Sequence, residues 1–572
     1  MGKPHSFKSM KQQGRRQRLR RDVILLFILS LLSSVSLVAV EHGAAATVRR
    51  EATDAAIRTM KDGGNAIDGA VAAALTLGVV DGHNSGIGGG CFMLIRLANG
   101  EVIALDGREM APAAATHDMF VRNGKAVADL SLTGPLAIGV PGSLAVYDYA
   151  LKHYGRKRLK EHLLPAADLA EKGFVIDESY FARLKSTAAD FNKFEASRNI
   201  FLSSDRNPKS VGERLVQSDL GHSYRLIAQE GIHWFYNGDF ARNTARWMKQ
   251  NGGLINEADF SHYRMVRRDA LHTTYRGYDI FGFPPPSSGG VHVAQILNIL
   301  DNFPVSEMKP RSADLIHLVS EAMKLAFADR AYWLGDPDFT PVPRGLISKE
   351  YGAELAKNID LNRGSVVEHH TPGAVSTDLF RKHTTHFSVS DSDGNWVACT
   401  ATVNTSFGSK VVIPGTGIVL NNQMDDFAAQ PGVPNFFGLV GAEANAVGPK
   451  KRPLSSMSPT IVVKDGRPIL SVGAAGGPTI ISQTLLALIN TIDFKMPLSQ
   501  ALAEPRWHDQ WRPDEIVIEK AMGTETMNEL RGRGHKVTQT ESLGASQAIG
   551  IDDSGFVAVH DPRVKTGNAQ TF

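Results

Sequence analysis

The spacing of apolar positions changes period several times along this chain, and each change predicts an element. A basic start, residues 1–21, runs into Val23–Val40, eighteen positions without a charge, the pattern of an export signal or an N-terminal membrane anchor over residues 1–40. Gly43–Thr47 reads as a first strand, so cleavage after Ala44-Ala45-Ala46 would remove it; cleavage near Ala39, or none, fits better. Glu51–Asp62 carries small and apolar residues at helical spacing and stops at Gly63-Gly64. Asn65, with Asp68 in the capping-box position, starts a second helix, Ala66–Val80, whose Ala, Val and Leu content predicts burial on most sides. Gly86–Gly90 then leads through Cys91 into an apolar strand, Phe92–Leu97.

Further along, Thr385–Asp391 alternates, with Phe387 and Val389 on one face and His386, Ser388 and Ser390 on the other, the pattern of a half-buried strand. Asp391–Asn395 is a turn and Trp396–Asn404 the returning strand. Folding this hairpin about Asp393 places Thr384 opposite Thr402, with Cβ atoms about 4.5–5.5 Å apart. By itself that is an ordinary cross-strand Thr–Thr pair as readily as a nucleophile beside a second hydroxyl. Ile469–Gly473 reads as a strand and Ile480–Asn490 as a helix, with Gly476-Gly477 between them. The middle third, including Pro284–Gly290 and the helix-like Ser320–Trp333, reads as scaffold. The stretch Asn362–His383, with Gly, Pro and His but no periodicity, reads as a surface loop.

Composition narrows the function. With 572 residues, 42% of them hydrophobic, the chain buries a large core. The net charge of +3 comes from the eight Lys and Arg of residues 1–21, which contain no acid; +3 less 8 leaves −5 for the rest, against a nucleic-acid surface. Two cysteines, Cys91 and Cys399, exclude a disulfide scaffold though not a single bridge; lying in apolar or Gly-rich runs, they are expected as buried free thiols. A dinucleotide loop fails because its third glycine would fall at Cys91, and a P-loop because position 403 is valine. A Gly run for tight helix–strand packing explains residues 86–90 better. No His or Cys spacing suits zinc, so neither a cofactor nor a metal is expected.

His383-Thr384-Thr385-His386-Phe387-Ser388-Val389 followed by Asp393-Gly394-Asn395 resembles the maturation site of the γ-glutamyltransferases, members of the N-terminal-nucleophile hydrolases. The likeness continues through Thr402–Thr405, Leu420–Phe427, Arg452–Pro459 and Gly476-Gly477, and upstream through Gly63–Ala66, Ser85–Gly90, Gly107–Pro112 and Pro284–Gly290. It spans the chain from about residue 42 to its end.

The resemblance implies an α+β fold, a four-layer αββα sandwich built jointly by two fragments, 41–383 and 384–572, which arise by self-cleavage between His383 and Thr384. It implies Thr384 as nucleophile, with its freed α-amine as base, and Thr402 as the group orienting it. Gly476 and Gly477 would supply oxyanion-stabilising N–H groups. Arg108, with Ser455 and Ser456, would take the α-carboxylate of a γ-glutamyl donor such as glutathione; Asp426, with Asn404 and Gln423, would take its α-ammonium. The acyl group would pass to water or to an amino acid or peptide acceptor, in a periplasmic or secreted protein. Two departures stand out. Phe437 occupies a lid position, within Gln430–Lys451, where many bacterial members carry tyrosine, which implies a looser lid and more hydrolysis; Cys91 replaces a frequent fourth glycine. A glutaryl or cephalosporin acylase, or a poly-γ-glutamate hydrolase, is the nearest alternative; an uncleaved binding protein is a more distant one.

Overall fold

The computed structural model describes residues 41–367 and 385–572. From His42 onward the described chain is one compact unit. Thirteen strands build its two main sheets: β1 (Gly43–Thr47), β2 (Gly90–Arg96), β3 (Val102–Gly107), β4 (Val266–Asp269), β5 (Leu271–Tyr275), β6 (Tyr278–Gly282), β7 (Thr385–Asp391), β8 (Trp396–Thr402), β9 (Thr460–Lys464), β10 (Arg467–Ala475), β11 (Ala545–Asp552), β12 (Gly555–His560) and β13 (Asn568–Thr571). One antiparallel sheet has the order β13-β1-β7-β8-β2-β3-β4 and the other β12-β11-β10-β9-β6-β5. Helices α1 (Arg50–Lys61) and α2 (Ala66–Val80) cover the first sheet. Helices α3 (Gly289–Leu300) and α5 (Thr479–Ile492) cover the second, and α4 (Ala313–Trp333) packs on α3.

The period-2 alternation of the strands sorts side chains into two separate cores, one on each face of the first sheet. Met93 and Ile95 of β2, with Val397 and Cys399 of β8, pack toward α1 and α2. Their neighbours Phe92, Leu94, Trp396 and Ala398 pack between the sheets with Ile461 and Ala474. A third core joins α3, α4 and α5 to the far face of the second sheet. Helix, sheet, sheet and helix are therefore successive layers, the α+β sandwich implied by the resemblance.

Local expectations fare unevenly. Asn65 caps α2 as expected, accepting from the N–H groups of Ile67 and Asp68 at 3.0 and 3.1 Å, while Asp68 accepts from Asn65 N at 2.9 Å. The helix read as Ser320–Trp333 starts at Ala313, capped by Ser312. The half-buried reading of β7 is wrong: all seven of its residues are buried. Its polar face looks into the sheet–sheet layer, where Ser388 accepts from Ser471 Oγ at 3.0 Å and the His386 ring stacks closely over Gly473. Polar alternation marked an inner face, on which His386 and Ser388 find hydrogen-bond partners and Ser390 Oγ has none among the described residues.

Strands β1–β6 precede position 384 and β7–β13 follow it, yet β1 lies between β13 and β7, and β9 pairs with β6. A chain cut at this point would keep both pieces within the same two sheets. Residues 23–40 and the stretch 368–384 lie outside the described residues, and among the described residues no helix is long and apolar enough to cross a membrane.

Candidate active site

The β7–β8 hairpin has the register that the sequence predicts. Thr385 pairs with Ala401 and His386 with Thr400, in phase with an assignment of Thr384 to Thr402; His383 and Thr384 themselves lie outside the described residues. Thr402 ends β8 and accepts from Asn404 N at 2.8 Å. Thr385 Oγ1 donates to Asp81, just beyond α2, and burial raises the carboxyl pKa of Asp81 above the ordinary range. The glycine run beneath Thr402 meets helix α2 at one end, where a Cβ on Gly78 would fall 3.4 Å from Gly86 Cα, and backbone of other segments further on. A Cβ on Gly89 would fall 2.0 Å from Thr402 O and one on Gly88 2.0 Å from Val419 O.

A small cavity beside this hairpin gathers Arg108, Thr402, Asn404, Gln423, Asp426, Ser455, Ser456 and Gly477. Arg108, fully buried after β3, is aimed by Nε donation to Pro453 O at 2.9 Å, and its Nη2 lies 2.5 Å from Asp426 Oδ2. Its Nη1 has no hydrogen-bond partner among the described residues. Gln423 Nε2 donates to Asp426 at 3.2 Å, while Gln423 Oε1 is buried without a partner among the described residues. Asn404, in left-handed conformation at φ 79°, commits its amide N–H to Asn422 O at 3.0 Å, so its oxygen is the atom available to a ligand. The cavity thus offers N–H donors beside oxygen acceptors, the combination a zwitterionic head group requires.

Gly476 and Gly477 join β10 to α5 with φ of 137° and 59°. Neither N–H has an acceptor among the described residues, while their carbonyls accept from Thr479 N and Ile480 N. Gly476 does not line the cavity itself; Gly477 does. Phe437 covers Gly477 so closely that a Cβ there would fall 2.6 Å from the Phe437 ring. The lid is anchored from below, since buried Asp425, its carboxyl pushed up to about 7 by burial, accepts from Phe436 N at 3.1 Å and Ser131 Oγ at 2.7 Å.

Two cavity neighbours escaped the sequence reading. Glu109, beside Arg108 at 3.5 Å, is pushed up to about 8 by burial, with Arg108 opposing, and its carboxyl oxygens lack hydrogen-bond partners among the described residues. Arg330, on the helix read as scaffold, lines the cavity wall. Its sequence signal was a cation on a helix buried on nearly every side.

Away from the site, Cys91 and Cys399 are buried free thiols, and burial raises the Cys91 pKa well above that of an ordinary thiol. The structure also brings together His317, Glu321 and His535, a grouping able to hold a metal ion that spacing could not reveal, since His535 is distant in sequence. Its atoms are already engaged: His317 Nδ1 meets His535 Nε2 at 2.7 Å, and Glu321 pairs with Lys324 at 2.7 Å.

Comparison with known proteins bears on this geometry. Residues 52–571 match the γ-glutamyltranspeptidase family. A glutathione hydrolase proenzyme of Escherichia coli is 44% identical over 92% of this chain and 91% of its own length. The acylase ACY 1 proenzyme of a Pseudomonas species (strain V22) is 37% identical over 88% of this chain and 89% of its own. Among solved structures, a cephalosporin acylase from Bacillus halodurans superposes with a TM-score of 0.82 at 27% identity, covering 93% of this chain and 96% of that one.

Proposed function

Because the chain belongs to the γ-glutamyltranspeptidase family, we propose that Thr384 is both the residue before which it cuts itself and the nucleophile of the matured enzyme. The protein is an autoprocessing γ-glutamyltransferase and glutathione hydrolase. Cleavage between His383 and Thr384 frees an α-amine whose reference pKa, about 7.7–8.0, suits it to take the proton of its own residue's hydroxyl. Thr384 Oγ then attacks the γ-carbonyl, and the amine returns the proton to the leaving nitrogen. The N–H groups of Gly476 and Gly477 receive the oxyanion, and Thr402 orients the nucleophile. Water, or an amino acid or peptide acceptor, releases the glutamyl group from the acyl-enzyme. No step calls on a cofactor.

Donor recognition follows the polarity of the cavity. Arg108, Ser455 and Ser456 meet the α-carboxylate; Asp426, with the amide oxygens of Gln423 and Asn404, meets the α-ammonium. The observation that carries this reading is Gln423 Oε1, buried beside Asp426 with no partner among the described residues. A glutaryl group has no ammonium to satisfy it, so a γ-glutamyl anilide should be cleaved faster than a glutaryl anilide, and the reverse order would favour an acylase. The fragments 41–383 and 384–572 stay together as a heterodimer. The basic start and the uncharged run 23–40 support export to the periplasm or the medium, with that run as signal or anchor.

Intact mass and N-terminal sequencing test the central claim. The wild type should give two chains, the smaller starting at Thr384, and Thr384→Ala a single uncut chain. A folded wild type that stays whole, or that is cut elsewhere, would remove Thr384 from the mechanism.

A further inference from the structure

The wall that faces the donor's α-carboxylate contains a second guanidinium. Arg330 lies near the end of α4 and is 4% exposed. Among the described residues it forms no ion pair. The adjacent Asp329 is engaged elsewhere, accepting from Gln295 Nε2 at 2.6 Å and Tyr351 OH at 2.8 Å. A buried cation without a paired anion is costly to retain unless something in its surroundings uses the charge. Burial lowers the Arg330 pKa to about 10, and Asp426 is the one carboxylate that opposes this. Asp426 is already bonded to Arg108, which also has Glu109 at 3.5 Å, so Arg330 has no carboxylate of its own among the described residues.

The hydrogen bonds of Arg330 have a direction. Its Nε donates to Ser288 Oγ at 3.0 Å, and Ser288 Oγ donates to Ser455 O at 2.8 Å. Its Nη2 donates to Ser456 Oγ at 3.3 Å. An arginine has no acceptor, so the Ser456 oxygen must use a lone pair here and its proton is left to point elsewhere. No described residue accepts that proton, and Ser456 lines the cavity. Ser455 is set the same way: its oxygen accepts from Met457 N at 3.1 Å. The Pro284–Gly290 segment, read from the sequence as scaffold, supplies Ser288 to this network.

We propose that Arg330 is a positioning residue for donor recognition: through Ser456 it fixes a hydroxyl as a donor to the substrate's α-carboxylate and supplies part of that group's counter-charge. This deepens the γ-glutamyl reading of the site and rests on it. Since Arg330 acts on one end of the donor, its loss should be felt only by substrates that carry that end.

The test compares γ-glutamyl p-nitroanilide with 4-aminobutanoyl p-nitroanilide, the same acyl group without its α-carboxylate, and with glutaryl p-nitroanilide. In Arg330→Met, KM for the γ-glutamyl compound should rise roughly 30-fold with kcat changed less than about threefold, the size expected for a lost charge-assisted contact. For the 4-aminobutanoyl compound kcat/KM should stay within about twofold. Arg330→Lys should recover part of the KM, and Arg330→Met combined with Ser456→Ala should be no worse than the poorer single variant. Equal losses on both compounds, or additive losses in the double variant, would overturn the proposal. If Arg330→Met stays unprocessed, Arg330→Lys and Ser456→Ala carry the same comparison, with the same outcomes for and against. A wild type that prefers the glutaryl compound would instead refute the γ-glutamyl reading, independently of how the Arg330 variants behave.

Discussion

Arg108 Nη2 and Asp426 Oδ2 meet at 2.5 Å in a wall whose other charged group is Arg330. Their partnership sets opposite charges side by side in one small cavity, so a ligand that brings a carboxylate and an ammonium can replace this contact with two of its own. A ligand bringing only one charge leaves one of the pair without compensation. Asp426→Asn keeps the shape and removes the charge. KM for γ-glutamyl donors should then rise on the order of 100-fold, about 2–3 kcal/mol, with a smaller effect on glutaryl compounds. Steady-state kinetics with both anilides decides it, and an equal loss on both would detach Asp426 from ammonium recognition.

Gly477 tolerates no side chain for two independent reasons. Its φ of 59° is left-handed, and a Cβ would fall 2.6 Å from the Phe437 ring. Gly477→Ala should therefore displace either the N–H proposed to receive the oxyanion or the lid above it. Loss of one oxyanion donor costs on the order of 10²–10³ in kcat. The combination Gly477→Ala with Phe437→Ala removes the clash but not the strain, and should recover only part of the activity. Full recovery would show that the lid contact was the whole effect.

Much of the site was legible because its residues lie in short, ordered motifs whose spacing survives without a structure. The Thr385–Ala401 register followed from the Asp393-Gly394 turn and strand alternation alone. The four layers did not follow from alternation. His386 and Ser388 looked solvent-facing, and only a second sheet, supplied by β10, supplies Ser471 as a partner for Ser388. Arg330 was missed for a related reason. Its partners Ser288 and Ser456 lie 42 and 126 residues away, and helical periodicity cannot identify which buried cation borders a cavity built by other segments. The His317–His535 contact spans 218 residues and was invisible for the same cause.

Buried imidazoles make the fold acid-sensitive. Burial holds His386 and His292 at about 3, and His508 and His535 at about 4. An unfolded histidine titrates near 6.5, so between pH 6.5 and 4 the unfolded chain takes up protons that the folded chain refuses, and stability falls as pH falls. Glu109 and Asp425 act in the opposite sense. Raised to about 8 and about 7, they keep protons in the folded state that the unfolded state has released, so their contribution is present at low pH and fades as pH climbs toward 8. Asp509, also raised by burial, joins the carboxyl side, and the imidazoles set the descent of stability on the acid side. Thermal unfolding of the Thr384→Ala chain across pH 4.5–8 measures this without fragment dissociation; a Tm that is flat or rising toward pH 4.5 would contradict it.

Phe437 offers the sharpest handle on the fate of the acyl-enzyme. Its ring is buried against Gly477 and shares the cavity with Asn404, whose amide N–H is committed to Asn422 O. The Asn404 oxygen is therefore the acceptor that a lid hydroxyl would find. Phenylalanine shields the site by contact alone, and the chain around it is tied down by Asp425, which accepts from Phe436 N at 3.1 Å, and by Gln510 Nε2, which donates to Phe437 O at 3.3 Å. Phe437→Tyr adds a donor at the ring's far end, worth about 1 kcal/mol if it reaches Asn404. A lid closed for longer should exclude water in favour of a bound acceptor, so the share of γ-glutamyl groups transferred should rise about fivefold relative to hydrolysis. Chromatography of products formed from glutathione with an amino acid acceptor gives the ratio directly. An unchanged ratio, with Asn404→Ala also without effect on the tyrosine variant, would show that the lid does not govern partition.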